Sequence, residues 1–142
     1  MRDLYQMWDV TCDIFGAFDF YEAERMYKLA VGCGTGANFV EIGAYCGRST
    51  SLLSMIAKDN DCSFTTIDPF ITVPDMGGSA EDMFKENMAK VDGTYELKKM
   101  LSEEAVKEYD KDIDLIFIDG DHRGFMVMRD FELWFPKVKK GG

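Results

Sequence analysis

Three small groups of side chains hold the chemistry this sequence offers. The first is Asp119-Gly120-Asp121-His122, two carboxylates and the chain's only histidine directly after the apolar run Ile113–Ile118. Turn chemistry with a helix-capping Asp explains one carboxylate but not the set. Titratable groups gathered at one strand terminus suit proton transfer at a bound substrate. The second is Glu41, inside Phe39-Val40-Glu41-Ile42 and followed by Gly43, Ala44 and Gly47. A carboxylate at the end of an apolar strand is costly unless it meets a donor, and a cationic or amine-bearing ligand would supply one. The third is Asp68, which ends Ser63-Phe64-Thr65-Thr66-Ile67. Its interval from Glu41 is close to that at which an acidic residue ends the second strand of a nucleotide-binding βαβ unit and accepts ribose hydroxyls. A strand-end Asp before a proline turn is the plainer alternative.

The elements that must position these groups can be read from periodicity. Residues 39–42 form a strand, Gly43 to Gly47 a turn, and Ser49 or Thr50 caps a helix with Leu52, Leu53, Ile56 and Ala57 on its apolar face. Such a turn aims helix N–H groups and a strand end at one crevice, where α/β sheets bind ligands. Before it, residues 1–36 read as helices. A loose pattern runs from Leu4 to Phe15, and Asp19-Phe20-Tyr21-Glu22 is a capping box that opens a helix through Met26, Leu29 and Ala30 to Gly32. The string Gly32-Cys33-Gly34-Thr35-Gly36 resembles a cofactor glycine loop but follows a helix rather than a strand, so it reads as a helix end and loop. After Asp68 come a loop from Ile71 to Gly78, a helix from Ala80 to about Val91, and a short strand, Thr94 to Leu97. Ser102 then caps a helix from Glu103 to Tyr109, the buried strand Ile113–Ile118 follows, and Gly124 to Trp134 is a helix closed by Pro136. The expectation is one α/β domain over 1–142, with residues 37–142 as a Rossmann-like, doubly wound parallel sheet.

Composition narrows the partners. The chain has 142 residues, 46% of them hydrophobic, and a net charge of −10. That balance argues against a nucleic-acid partner and for a small molecule. The four cysteines lack CxxC spacing, and with one histidine a structural zinc site is not expected. No apolar run approaches the roughly 20 residues that span a bilayer. Reduced thiols in a cytoplasmic protein are the expectation.

In order, FVEIGAYCGRST, FTTIDPF, DLIFIDGDH and DFELWFPKVKKGG resemble the successive motifs of class I S-adenosylmethionine-dependent methyltransferases, closest to the small-molecule O-methyltransferase branch. The resemblance spans roughly Tyr21 to Gly142. It implies that Glu41, Gly43, Ala44 and Gly47 surround the methionine part of S-adenosylmethionine, with Ser49 and Thr50 beside it. Asp68 would hold the ribose, Phe70 would flank the adenine, and Ser102 would lie in the adenine region. Asp119 would lie beside the methionyl group, with Asp121 and His122 facing the acceptor, either of them a base for methyl transfer to oxygen. Some similar O-methyltransferases hold a divalent metal between such carboxylates and a later acidic pair. That pair is absent here, so no residue is assigned to a metal.

The family sheet has seven strands, and a glycine pair such as Gly141-Gly142 leads into the fifth. Four strands in the order 3-2-1-4 are therefore expected, as in a truncated chain, with the fourth strand an open edge prone to self-association. A truncated or degenerate module that binds the cofactor without catalysis is the alternative to an active methyltransferase. A nicotinamide-binding Rossmann protein is disfavoured, because EIGAYCG lacks the three-glycine spacing.

Overall fold

The apolar runs pair into one parallel sheet. In the computed structural model, which describes residues 1–75 and 77–142, β1 (Asn38–Ile42) lies between β2 (Ser63–Ile67) and β4 (Leu115–Ile118). The strand β3 (Glu96–Lys98) pairs with β2, so the order is β3-β2-β1-β4. Register places Glu41 between Thr66 and Phe117. The sheet order is the one expected from the motifs. Met76, within the expected loop 71–78, lies outside the described residues.

Helices cover both faces. On one face α1 (Leu4–Thr11), α2 (Phe20–Gly32) and α3 (Arg48–Asp59) bury Met7, Met26, Leu52, Leu53 and Ile56 against Phe39 and Phe64. On the other, α5 (Ser102–Glu108) and α6 (Gly124–Trp134) pack Ala105, Val106 and Trp134 against Val40, Ile42, Ile67 and Ile113. Large apolar side chains buried this fully contribute about 1.5–3 kcal/mol each. The helix α4 (Ala80–Met88) forms a third cluster, in which Phe84 and Met88 meet Ala44, Phe70, Tyr95 and Leu97.

Several boundaries differ from the sequence reading, each for a local reason. Capping boxes start both N-terminal helices: Asp3 with Gln6, which was not anticipated, and Asp19 with Glu22, which was. The first helix stops at Thr11 rather than Phe15, because the carbonyls of Ile14 and Gly16 turn to accept from the Arg48 guanidinium. The third strand starts two residues late because Gly93 lies against Ser54 and the Thr94 N–H donates to the Ser54 carbonyl. Ile113 leaves β4 to bridge Val138, and Asp114 accepts from the Asn38 N–H. Apolar periodicity also overstated burial: Leu29 and, on α6, Phe125, Met128 and Phe131 are exposed.

Candidate functional site

A cavity of about 890 Å³ opens at the carboxyl ends of the strands and crosses from the α3 face to the α5–α6 face. Its shape depends on the turn after β1. Gly43 has φ +96°, and a Cβ there would stand 2.3 Å from the Asp119 carbonyl oxygen, so no side chain fits between the ends of β1 and β4. Gly47, at φ +92°, is the left-handed residue that starts α3. Neither Ser49 nor Thr50 caps that helix. Both hydroxyls instead point back at Glu41.

Glu41 is fully buried and accepts from Ser49 Oγ, Thr50 Oγ1 and Thr66 Oγ1, all at 2.6 Å. The donor expected from a ligand is thus supplied from within the fold. Burial pushes the Glu41 carboxyl up to about 7, against the pull of the three hydroxyls. Ser49 lines the cavity, while Glu41, Thr50 and Gly47 lie behind its wall.

Asp68 stands at the end of β2 on the cavity wall. Its Oδ2 accepts from the Ala44 and Tyr45 N–H groups at 2.8 Å each, and its Oδ1 accepts from the Phe70 N–H at 2.7 Å. The carboxylate fastens the glycine turn to the second strand and keeps about one acceptor position, on Oδ1, for a ligand. Phe70, at φ +54°, turns away from the cavity and packs on Phe84 at 5.4 Å between ring centres. Pro69 and Ile71 line the cavity in its place. Ser102 lines the cavity too, but as the first residue of α5 and not as its cap. Its Oγ accepts from the Trp134 indole N–H at 2.8 Å.

The Asp119–His122 group reaches the cavity as a set. Asp119 keeps 44% of its side chain exposed; desolvation of the rest raises its carboxyl while His122, with Nδ1 3.8 Å from Asp119 Oδ1, draws it down. Asp121 is gripped by Arg123, through its backbone N–H at 3.0 Å and its guanidinium, which holds the carboxyl down at about 2. The His122 side chain is 83% exposed at the mouth. Among the described residues, no three His, Cys, Asp or Glu side chains converge as an ion site would need, and no helix is long and apolar enough to cross a membrane.

Two parts of the wall were not singled out from sequence. One is the α1–α2 connection, Phe15 to Phe18, held by Arg48. The other is Asp130 on α6, only 7% exposed yet facing the cavity. Its one legible sign was its place four residues before Trp134, on the helix face that turns inward.

The comparisons with known proteins agree with this architecture. A family model, Methyltransferase domain, matches residues 40–142. The uncharacterized protein R132 of Acanthamoeba polyphaga mimivirus is 32% identical over 112 residues, 73% of this chain and 48% of that protein. Among solved structures, the SAH-bound methyltransferase PaMTH1 of Podospora anserina superposes with a TM-score of 0.68 at 17% identity, covering 100% of this chain and 60% of that one. The O-methyltransferase from Bacillus cereus, in complex with SAH, gives 0.57 at 19%, covering 98% and 63%. The chain thus spans about half the length of the curated relative it matches and about three-fifths of these solved chains. With the family model running from the middle of β1 to the last residue, over a parallel sheet in the 3-2-1-4 order, the chain belongs to the methyltransferase domain family.

Proposed function

We propose that this chain binds S-adenosylmethionine and takes part in methyl transfer to an oxygen of a small-molecule acceptor. The observation that carries the reading is the single cavity joining the glycine turn, Asp68 and the Asp119–His122 group. The cofactor supplies a methyl group on a sulfonium, open to in-line attack. The chain's residues do the rest. Asp68 offers Oδ1 to one ribose hydroxyl, and Ser49 and the start of α3 face the methionine part. An acceptor hydroxyl must be aligned and must lose its proton as the new bond forms. His122, beside Asp119, is the better base of the two at the mouth, because Asp121 is already paired to Arg123 and held strongly acidic. A net charge of −10 suits a small acceptor rather than a nucleic acid, and the four free cysteines suit a cytoplasmic setting.

The exposure of His122 also favours a second reading, a module that binds the cofactor without catalysing transfer. Calorimetric titration of S-adenosylhomocysteine (SAH) into the purified chain tests the shared part. Saturable binding is expected, weakened about 10- to 100-fold by Asp68→Ala, the scale of lost hydrogen bonds to a charged group. No heat from a folded wild-type chain overturns both readings. Binding without turnover across an acceptor panel favours the second. Turnover that falls at least about 100-fold in His122→Ala supports the first.

A further inference from the structure

Arg48 is the unusual cation of the cavity wall. It is part-buried beside the glycine turn, and only its Nη1 is used, donating to the carbonyls of Ile14 at 3.1 Å and Gly16 at 3.0 Å. Its Nε is the one buried side-chain nitrogen or oxygen among the described residues that has no hydrogen-bond partner. Nη2, on the same edge of the guanidinium, makes no hydrogen bond within the described residues either, and it is not sealed from water. No carboxylate among the described residues pairs with Arg48, although the chain carries 26 acidic residues and the other arginine on the cavity, Arg123, is held by Asp121. A part-buried guanidinium with a free edge and no countercharge is costly unless a ligand completes it. The surroundings describe the rest of that ligand. Phe15, Ala17, Phe18 and Tyr45 line the cavity around Arg48 and are apolar or aromatic. Gly16 lies so close on the arginine stem that a Cβ there would stand 3.2 Å from Arg48 Cβ, which fixes the guanidinium at the α1–α2 wall.

We propose that Arg48 is a specificity-determining residue whose Nε–Nη2 edge binds a carboxylate of the acceptor, so that the acceptor is a hydroxy acid with an apolar or aromatic body. The two oxygens of a carboxylate match this planar fork. One meets Nη2 from the cavity, and a small rotation of the guanidinium brings Nε–H to the other. The body of the acceptor packs on Phe15 and Phe18, which leaves its hydroxyl for the part of the cavity where His122 stands. The cofactor carries a single carboxylate, on the methionine part that the start of α3 serves, so the arginine edge is left to the acceptor. The inference rests on the methyl-transfer reading above and adds to it the chemical class of the acceptor.

The test uses two matched pairs of probes, 4-hydroxybenzoate with 4-hydroxybenzamide and 4-hydroxyphenylacetate with 4-hydroxyphenylacetamide. Each pair shares its shape and hydroxyl and differs in charge. Affinities are measured by calorimetry on the SAH-saturated chain and on the chain alone, and the place of binding is read from the Arg48 Nε–H resonance, identified by its absence from Arg48→Met. Each acid should bind at least about tenfold more tightly than its amide, the scale of a hydrogen bond between charged groups, and should shift that resonance. Arg48→Met, folded and loaded with SAH, should bring each pair to within about threefold. The ratio within a pair, unlike either affinity, does not depend on how firmly the α1–α2 connection is held. Equal binding of acid and amide by the wild type overturns the proposal without any variant, and so does failure of all four probes to bind. A preference undiminished in folded Arg48→Met also overturns it, by placing the anion on another group. Acids that compete with SAH but not with 5′-methylthioadenosine, which lacks the methionine carboxylate, overturn it by giving the arginine edge to the cofactor. If SAH does not bind the folded wild type, the cofactor reading has failed and the acceptor assignment with it, an outcome distinct from SAH binding without acid–amide discrimination.

Discussion

Glu41 is the most demanding residue in the chain, because a carboxylate on the central strand has no solvent to fall back on. Three hydroxyls at 2.6 Å satisfy it, and two of them come from the first turn of α3, so the charge ties β1, β2 and α3 together at the cavity floor. Burial still outweighs them, and the folded carboxyl sits at about 7 against roughly 4.3 in an unfolded chain. Between those values the native state keeps a proton that the unfolded state has lost. Stability therefore falls as pH rises from about 4.5 to about 7 and levels off above, by on the order of 3 kcal/mol for this group. Glu41→Gln keeps the shape and removes the titration. Thermal melts at pH 5, 6, 7 and 8 should show the variant losing less stability across that interval than the wild type. Parallel curves would mean that Glu41 stays ionised throughout. The sequence marked Glu41 as a residue in need of a donor. It could not say which donor, because Thr66 is brought opposite by strand register and Ser49 and Thr50 by the glycine turn.

At the scale of elements, strands and helix starts were legible where periodicity and caps agree, as at Asp19–Glu22, while the 3-2-1-4 strand order followed from the family resemblance. They were misread where a distant partner takes the backbone, as at Thr94, Ile113 and the end of α1. The last case shapes the site. Arg48, the residue after the glycine turn, donates through Nη1 to the carbonyls of Ile14 at 3.1 Å and Gly16 at 3.0 Å, and its guanidinium lies 5.3 Å from the Trp8 ring centre. It latches the α1–α2 connection against the cavity, where Phe15 also packs on Tyr45. This wall lies before residue 40, where the family match begins. Arg48→Met keeps the packing on Trp8 and removes both hydrogen bonds, so a loss of about 1–3 kcal/mol is expected. Chymotrypsin should then cut at Phe15 or Phe18 faster than in the wild type, and SAH affinity should fall about tenfold. Unchanged cleavage and affinity would show that the connection holds itself without the latch.

For the whole molecule, the consequential feature is what the sheet leaves uncovered. The strand β4 has β1 on one side only. At its start the chain crosses over it: the Ile113 N–H donates to the Lys137 carbonyl at 2.8 Å, and the Lys139 N–H donates to the Ile113 carbonyl at 2.9 Å. Beyond that point Leu115, Ile116, Phe117 and Ile118 are only partly buried, and a groove runs between Leu115–Phe117 and the α2 residues Met26 and Leu29. On α6, Phe125, Met128 and Phe131 face outward, and Phe131 stacks on Phe135 at 4.9 Å. The fourth strand was legible as an apolar run, Ile113 to Ile118, although β4 itself begins at Leu115. The exposed face of α6 was not legible, because periodicity reports which residues are apolar and not which side of a helix finds a partner. An apolar strand edge offers unpaired N–H and C=O groups to another chain. We expect the chain to self-associate there, with a sedimentation coefficient that rises with concentration and with amides of residues 115–118 that exchange more slowly in the associated form. Met128→Glu, on the exposed face of α6, should weaken the association without lowering the melting temperature by more than a few degrees. A chain that stays monomeric at high concentration, with exchange at 115–118 independent of concentration, would show that α2 and the Lys137–Lys139 crossing protect the edge well enough on their own.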